Sequence, residues 1–474
     1  MSTLPSTRVY EGTRIPSPVP TILEVDPEKH RLEDILRVNF GPNHPSTHGV
    51  LRLVVDLDGE TVAGIRAVIG YLHTGFEKNM EHKSWWKSVT YAPRMDYVAF
   101  HANELLYVLA IEKLLGIEAV IGYLHTGFEK TMEHKTYWKG ITYPERIDYL
   151  SFQANELVFV LAIEKLLGLE TPEKATWMRM CLSELNRIHS HLVWLGTSAL
   201  EIGAISMFWY AFRERDMVLD LFEMVAGVRM HTRYFQVGGL AEDIPEGFYE
   251  QARDFARHMP RAVNDYEALL DRNKIWLERT KGIGLLSAAD ALALGQSGPM
   301  LRGSGVDWDL RKAEPYLAYD EVDFDVPVYP NGDVYDRYKV HMDEMRASAR
   351  IVSQCLTRLE ELRGQPWIAD DRKVVLPPRE ELHTSMESLI HHFKIVTEGY
   401  LVPEGQVYVA VESARGECGC YLVSDGGPKP WRVKFRAPSL AALQATATCV
   451  RGTAIADLIA VAASLDPVMG DVDR

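Results

Sequence analysis

Cysteine is scarce in this chain: five residues in 474, at Cys181, Cys355, Cys418, Cys420 and Cys449. An odd number at irregular spacings fits neither a disulfide framework nor a four-thiolate cluster. Met1–Ser17 is polar and has no apolar core segment of the kind a signal peptide needs. Both observations read as free thiols in a reducing cytoplasm. Cys418-Gly-Cys420 is the one close pair, and without further partners it reads as structural rather than as half of a metal site. No GxGxxG follows a strand, and there is neither a Walker A loop nor an HExxH, so no nucleotide cofactor, flavin or iron–sulfur centre of the chain's own is expected. Positive charge is also in deficit. Lys and Arg number 51 against 66 Asp and Glu, a formal net charge of −15. Such a chain repels phosphate, which argues against nucleic acid as a partner and against direct docking on anionic lipid. A clean transmembrane run is absent too. Leu192–Phe212 has the length to cross a bilayer, but Gly196, Thr197, Ser198, Gly203 and Ser206 interrupt it and it continues a polar helix. It reads as a buried core helix.

What is present is 47% hydrophobic residues, enough for two or three domains or one large domain with insertions. The most conspicuous pattern is a tandem repeat. Residues 67–118 and 119–170 align without gaps, identical at 38 of 52 positions. Two copies are too few for a solenoid, so a local duplication is the simpler reading. Each copy reads as a short strand, a loop and an amphipathic helix. In the second copy Phe159, Val160, Ile163, Leu166 and Leu167 form the apolar stripe, Glu164 and Lys165 fall outside it, and Gly168 ends the run. Before the repeat, Leu51–Leu57 alternates like a strand and Asp58-Gly59 supplies a turn. After it, Thr171-Pro172 reads as a cap with proline at the first helical position. Met178, Leu182, Leu185, Ile188, Leu192 and Leu195 then line one helix face. Met345, Ala349, Val352, Leu356 and Leu359 form a bundle seam on a later helix.

Gly364–Pro378 reads as a connector, and strands return around Val407–Val411, Tyr421–Val423 and the alternating Trp431–Arg436. The expected organisation is an extension at 1–37, a β region at 38–66, the repeat at 67–170, a helical bundle at 171–363 and an α+β region at 364–474. The fold class is α+β, a central helical bundle with antiparallel sheet contributed by both chain ends.

Three features carry potential chemistry. The loop Gly41-Pro-Asn-His44-Pro-Ser-Thr-His48-Gly49 holds two imidazoles. Its prolines and glycines oppose a helical metal pair and favour a loop that presents ligands, although a histidine is also often just a satisfied hydrogen-bonding group. Arg-x-Asp-Tyr occurs twice, as Arg94–Tyr97 and Arg146–Tyr149. A phenol can donate to a carbonyl oxygen, and a nearby arginine favours the arrival of electrons. The plain alternative is a helix-start salt bridge with a packed tyrosine. Glu201 stands isolated in the apolar run, where an unpartnered carboxylate is costly. It should hold a raised pKa or bind a cation such as an imidazolium. His189, His191, His391 and His392 read as structural or surface histidines.

The motifs GPNHPSTHGVLR, IGYLHTGFEK, RIDYLSF, ELNRIHSHLVWLGTSALEIGA, AFRERD, GPMLRGSG, DLRKAEPY, TSMESLIHHFK, ESARGE, YLVSDGG and SLDPVMGDVDR resemble the quinone-site D subunit of bacterial respiratory NADH:quinone oxidoreductase, complex I. The resemblance runs from about Val38 to Arg474, apart from one surplus repeat copy. The family is similar to the large subunit of nickel–iron hydrogenases with the metal site lost. Where a hydrogenase has Asp-Pro-Cys-x-x-Cys, this chain has Asp466-Pro467-Val468 and Asp471, so nickel has no thiolate ligands.

The resemblance implies a proton-translocating translocase, with quinone reduced between this chain and the cluster-bearing, iron–sulfur B subunit. The C subunit and the membrane-arm H subunit are the further partners it implies. It implies a peripheral position on the cytoplasmic face of the bacterial inner membrane, with quinone as substrate and no cofactor held by this chain alone. By the same resemblance His48 and one RxDY tyrosine donate to the two quinone carbonyls, and His44 lies on the same loop. Glu201 occupies the position of an acid, usually Asp, that orients and charges the histidine. Arg146 and His231 lie near the partner's iron–sulfur cluster. Of the two tyrosines Tyr149 is favoured over Tyr97, because it is nearer in sequence to the Glu201 helix. The alternative reading is a nickel-free hydrogenase relative that acts as a scaffold or reduces another acceptor.

Overall fold

The computed structural model describes residues 21–23, 35–40, 52–68, 74–83, 122–450 and 454–474. The chain forms two compact units, residues 1–120 and 121–474, with the boundary at the start of the second repeat copy.

In the first unit the strands β1 (Thr21–Leu23), β2 (Ile35–Phe40), β3 (Arg52–Asp58) and β4 (Thr61–Val68) form an antiparallel sheet in the order β1-β4-β3-β2. The predicted turn at Asp58-Gly59 joins β3 to β4, with Val54 paired to Arg66. Asp56 is buried in this sheet and accepts two hydrogen bonds from Arg37, at 2.5 and 3.0 Å. A short helix α1 (Phe76–Glu81) follows. The rest of the first repeat copy, including Tyr97, lies outside the described residues, as does the loop bearing His44 and His48.

The second unit opens with the short helices α2 (Phe128–Glu133) and α3 (Tyr137–Gly140) and a 3-10 turn at Pro144–Arg146. No strand opens this repeat copy among the described residues; residues 122–127 are turn and loop. Helix α4 (Phe152–Leu167) is the predicted amphipathic helix, and Gly168 ends it in the left-handed conformation at φ 63°, which a side chain would resist. Its burial goes well beyond the predicted stripe. Glu164, expected on the polar side, is buried and paired with Arg179 at 2.7 Å, because α4 is covered on nearly every side.

The helical bundle consists of α5 (Glu173–Glu201), α6 (Ile205–Ala226), α7 (Glu246–Leu270) and α12 (Val334–Glu361), each packed on two of the others in a closed ring. Both predicted seams are buried. Met178, Leu182, Leu185, Ile188, Leu192 and Leu195 lie inside α5, and Met345, Ala349, Val352, Leu356 and Leu359 inside α12. Helix α5 begins at Glu173, so Pro172 is the N-cap rather than the first helical residue. The Leu192–Phe212 run is not one helix. It breaks between Glu201 and Ile205, around Gly203, and belongs to α5 and α6. Among the described residues no helix is long and apolar enough to cross a membrane.

Between and after the bundle helices lie the small pair β5 (Phe235–Gln236) and β6 (Gly239–Leu240), then α8 (Lys274–Thr280), α9 (Ala288–Ala293), α10 (Gly298–Arg302), α11 (Leu310–Ala313) and α13 (Met386–Thr397). The strands β7 (Gly405–Ser413), β8 (Gly416–Ser424) and β9 (Arg432–Arg436) form a second antiparallel sheet. Helices α14 (Pro438–Cys449), α15 (Ile455–Ser464) and α16 (Met469–Asp473) close the chain. The fold class is α+β as expected, but the two chain ends form separate sheets, one in each unit. In β9 Val433 and Phe435 face the core as predicted, while Trp431 precedes the strand and is exposed.

Candidate functional site

Asp148 follows the 3-10 turn and is buried. Its Oδ1 accepts the backbone N–H groups of Leu150 and Ser151, at 3.1 and 2.9 Å, which fixes the entrance to α4. The RxDY motif therefore does contain a helix-start ion pair, but the cation is not the motif's own arginine. Arg415, on the turn between β7 and β8, reaches Asp148 through Nη1 at 3.0 and 2.9 Å. It also donates through Nη2 to Asp466 Oδ1 at 3.1 Å and through Nε to the Asp466 carbonyl at 2.8 Å. Arg146 is exposed and donates to the Thr142 carbonyl.

One cation thus meets a cluster of three carboxyls, Asp148 and Asp471 buried and Asp466 partly buried, because Asp471 adds its charge from α16. Burial pushes the Asp466 carboxyl up to about 7, with Arg415 opposing and Asp148 adding to the rise. Burial and the Asp148 anion likewise push Asp471 up to about 7, against the hydrogen bonds it accepts from Ser439. These two groups change charge near neutrality, where a proton-exchanging site needs them. Asp466 adopts φ 48°, a left-handed conformation that a non-glycine residue rarely takes.

Tyr149 stands at the edge of this cluster, 37% exposed. Burial, the Asp148 anion and Asp466 raise its pKa while Arg415 opposes them, so the phenol keeps its proton and is a donor at neutral pH. The turn that carries it is held against α16. A Cβ at Gly470 would lie 2.5 Å from the Ile147 carbonyl oxygen and 3.3 Å from Tyr149 Cε1. Below the turn, His189 Nδ1 donates to the Leu150 carbonyl at 3.3 Å, and burial lowers its pKa to about 3, which keeps the ring neutral. His231 adopts φ 56°, and its pKa is lowered by burial and then by the charge of Arg146. The charge of Arg146 therefore reaches His231, and the Phe152 ring lies 5.7 Å from that of His231.

Glu201 needs correction. The apolar run around it predicts a buried carboxylate, yet it is the last residue of α5 and is exposed. The break at Gly203 lets it leave the bundle, so the cost of burying a lone carboxylate never arises. His44, His48 and Tyr97 lie outside the described residues.

The principal residues that sequence reasoning misses are Arg415, Glu145 and Glu156. Arg415 sits in the ESARGE motif but shows no pattern of its own. A signal for Glu145 does exist, because the first repeat copy has Pro93 at the equivalent position. Among the described residues no group of three His, Cys, Asp or Glu side chains is placed to hold a metal. All five cysteines are buried free thiols, and burial raises the pKa of each. Cys418 and Cys420 point from β8 into the core, and the Cys418 thiol donates to Asn155 at 2.8 Å.

Fold and site together define an α+β protein in which a partly exposed phenol adjoins carboxyls whose pKa is raised to about 7. The family described as "Respiratory-chain NADH dehydrogenase, 49 Kd subunit" matches residues 201–474. The chain is similar to the first of the NADH-quinone oxidoreductase D subunits of Herpetosiphon aurantiacus, 47% identical over 468 residues that cover 98% of each chain. It is also similar to the second such D subunit of Chloroflexus aurantiacus, 47% identical over 97% of this chain and 99% of that one. With the NADH-quinone oxidoreductase D subunit of Geotalea uraniireducens it shares 45% identity over 93% of this chain and 99% of the relative. This chain belongs to the family of the 49 kDa subunit of respiratory-chain NADH dehydrogenase, and is an oxidoreductase subunit of complex I.

Proposed function

We propose that this chain forms the quinone-reduction site of the complex together with the iron–sulfur B subunit. The observation that carries the reading is the half-exposed Tyr149 phenol beside Asp466 and Asp471, whose pKa values lie at about 7. Reduction of quinone to quinol takes two electrons and two protons, and each added electron makes the carbonyl oxygens more basic. A phenol donor at one oxygen stabilises that charge, and nearby carboxyls near neutral pKa can replace the protons withdrawn. In this reading electrons come from the terminal iron–sulfur cluster of the B subunit, and this chain holds no redox centre of its own. Arg146 and His231 lie toward that cluster, the first as a fixed positive charge. The family resemblance supplies His48, with His44 on its loop, as the donor proposed for the second carbonyl. The C subunit and the membrane-arm H subunit are the other neighbours, and the complex carries this chain peripherally on the cytoplasmic face of the cell membrane, where quinone reduction drives proton translocation.

The test is quinone reduction by the assembled complex carrying Tyr149→Phe or Tyr97→Phe. Loss of the phenol donor should lower kcat by roughly a hundredfold in the first variant. The second should stay near wild type. Unchanged turnover in Tyr149→Phe together with loss in Tyr97→Phe would assign the site to the other repeat copy.

A further inference from the structure

A second pair of carboxyls, one on the same turn and one on α4, plays no part in quinone reduction as described. Glu145, four residues before Tyr149, is fully buried. Its Oε1 accepts the Arg233 backbone N–H at 2.8 Å and the Thr232 hydroxyl at 3.4 Å, while its Oε2 is buried with no protein partner. Glu156, one turn into α4, is fully buried, and no hydrogen bond of normal geometry reaches either of its oxygens. The Phe235 backbone N–H and the Arg233 charge approach it without satisfying it. Both carboxyls thus face the same short segment, residues 232–235.

The groups around them are also left open. Gln153, one helical turn before Glu156, is fully buried with both amide atoms unpartnered. Nδ1 of His231 and Nε of Arg233 are buried and unpartnered as well. Arg233 is held in place by its stack on Trp138, 4.1 Å from the ring centroid, and by donating to the Trp138 carbonyl at 2.9 Å. Buried polar atoms are almost always hydrogen-bonded, and a group of them that the protein leaves open marks a place for ordered water. Two neighbouring carboxyls in such surroundings cannot both ionise cheaply.

We propose that Glu145 and Glu156 form a proton-holding pair, carrying one proton between them and exchanging it through water bound by Gln153, His231 and Arg233. On release the Glu156 O–H bond breaks, the proton passes to water, and the carboxylate left behind faces Arg233. Uptake is the reverse, and nothing is oxidised or reduced at the pair. The charges facing it are Arg146 and Arg233 toward Glu145, and Arg233, Glu145 and Arg179 toward Glu156. Arg179 is already committed to Glu164 at 2.7 Å, which leaves Arg233 as the main counter-charge of Glu156. Burial raises both carboxyls, Glu145 to about 7 and Glu156 well above its ordinary range, where the Glu145 charge adds to the rise. The pair belongs to the second repeat copy alone, since the first has Glu104 but Pro93 in place of the other carboxyl. Its use as a proton reserve for reduction at Tyr149 rests on the quinone reading, whereas the existence of the pair does not.

Infrared difference spectra of the assembled complex, stepped in pH without any redox change, test the pair directly. The wild type should lose protonated-carboxyl absorbance as pH rises. Glu156→Gln should remove one component and leave those of Asp466 and Asp471. Glu145→Gln should keep the Glu156 transition but move it to lower pH, because a neighbouring negative charge is gone. If Glu156→Gln loses no component, or the Glu156 transition stays where it was in Glu145→Gln, the pair does not exist. Wild-type complex grown with carbon-13-labelled glutamate gives a variant-free check: the titrating band must move with the label, and a band that does not move overturns the assignment. Tyr149→Phe should leave these spectra unchanged whatever it does to quinone turnover, so failure of the quinone reading and failure of the pair are separate results.

Discussion

Arg415 divides one guanidinium between Asp148 and Asp466, and Asp471 completes a cluster in which carboxyls outnumber cations. Ion pairing keeps Asp148 satisfied, so burial acts on the two carboxyls with less compensation. A carboxyl whose folded-state pKa is raised binds more protons folded than unfolded between about pH 4 and 7. Its contribution to stability is therefore present at low pH and lost as pH rises through about 7 for Asp466 and Asp471. Asp471→Asn removes that dependence while keeping an acceptor for the Ser439 N–H. Its unfolding free energy should gain on the wild type between about pH 5 and pH 8. Urea unfolding at both pH values measures the gap, and an equal gap at the two would refute the role of burial. The residues of this cluster are only partly legible in the sequence. Asp148 is visible in its motif and Asp466 and Asp471 stand out where metal thiolates are missing, but Arg415 lies 267 positions from Asp148 and no local pattern joins them.

At the scale of elements, apolar periodicity locates α4, α5 and α12 correctly, because a bundle helix must bury one face. It misjudges Leu192–Phe212, since hydrophobicity alone does not reveal a helix break that a glycine turn allows, and Glu201 is misplaced with it. The packing of α16 on the Tyr149 turn is equally invisible. It depends on Gly470, where any side chain would press on the Ile147 carbonyl at 2.5 Å. Gly470→Ala should cost about 1–3 kcal/mol by overpacking and displace Tyr149. The complex should then show lowered quinone turnover and a lower melting temperature for this subunit. Turnover and melting both at wild-type values would mean that the contact does not position the turn.

Across the second unit, a buried charge network ties the bundle to the C-terminal sheet. Glu184 on α5 accepts from Arg311, from Tyr319 at 2.6 Å and from Ser348 on α12 at 2.6 Å. Arg302 on α10 joins Glu344 on α12 to Glu412 on β7, and His191 closes onto Glu344 at 2.8 Å. Burial by itself would raise Glu184, but Arg187 and Arg311, with the Ser348 and Tyr319 hydrogen bonds, bring it down to about 2. A depressed carboxyl stabilises the fold above its unfolded pKa, and the contribution is lost as pH falls from about 4 toward 2. Glu184→Gln leaves buried arginines short of a counter-charge and should cost about 3–5 kcal/mol. It should also flatten the acid limb of stability against pH, and urea midpoints across that range read both effects. A wild-type acid limb in the variant would show that Glu184 does not drive it.

The sequence by itself determined the fold class, the bundle seams, the duplication and the family, because these rest on local periodicity and on long ordered motifs. Tertiary structure alone decided which carboxyls are buried, which cation each one meets and where Tyr149 stands. A pKa is set by burial and by charges from distant parts of the chain, and neither can be read from neighbours in sequence.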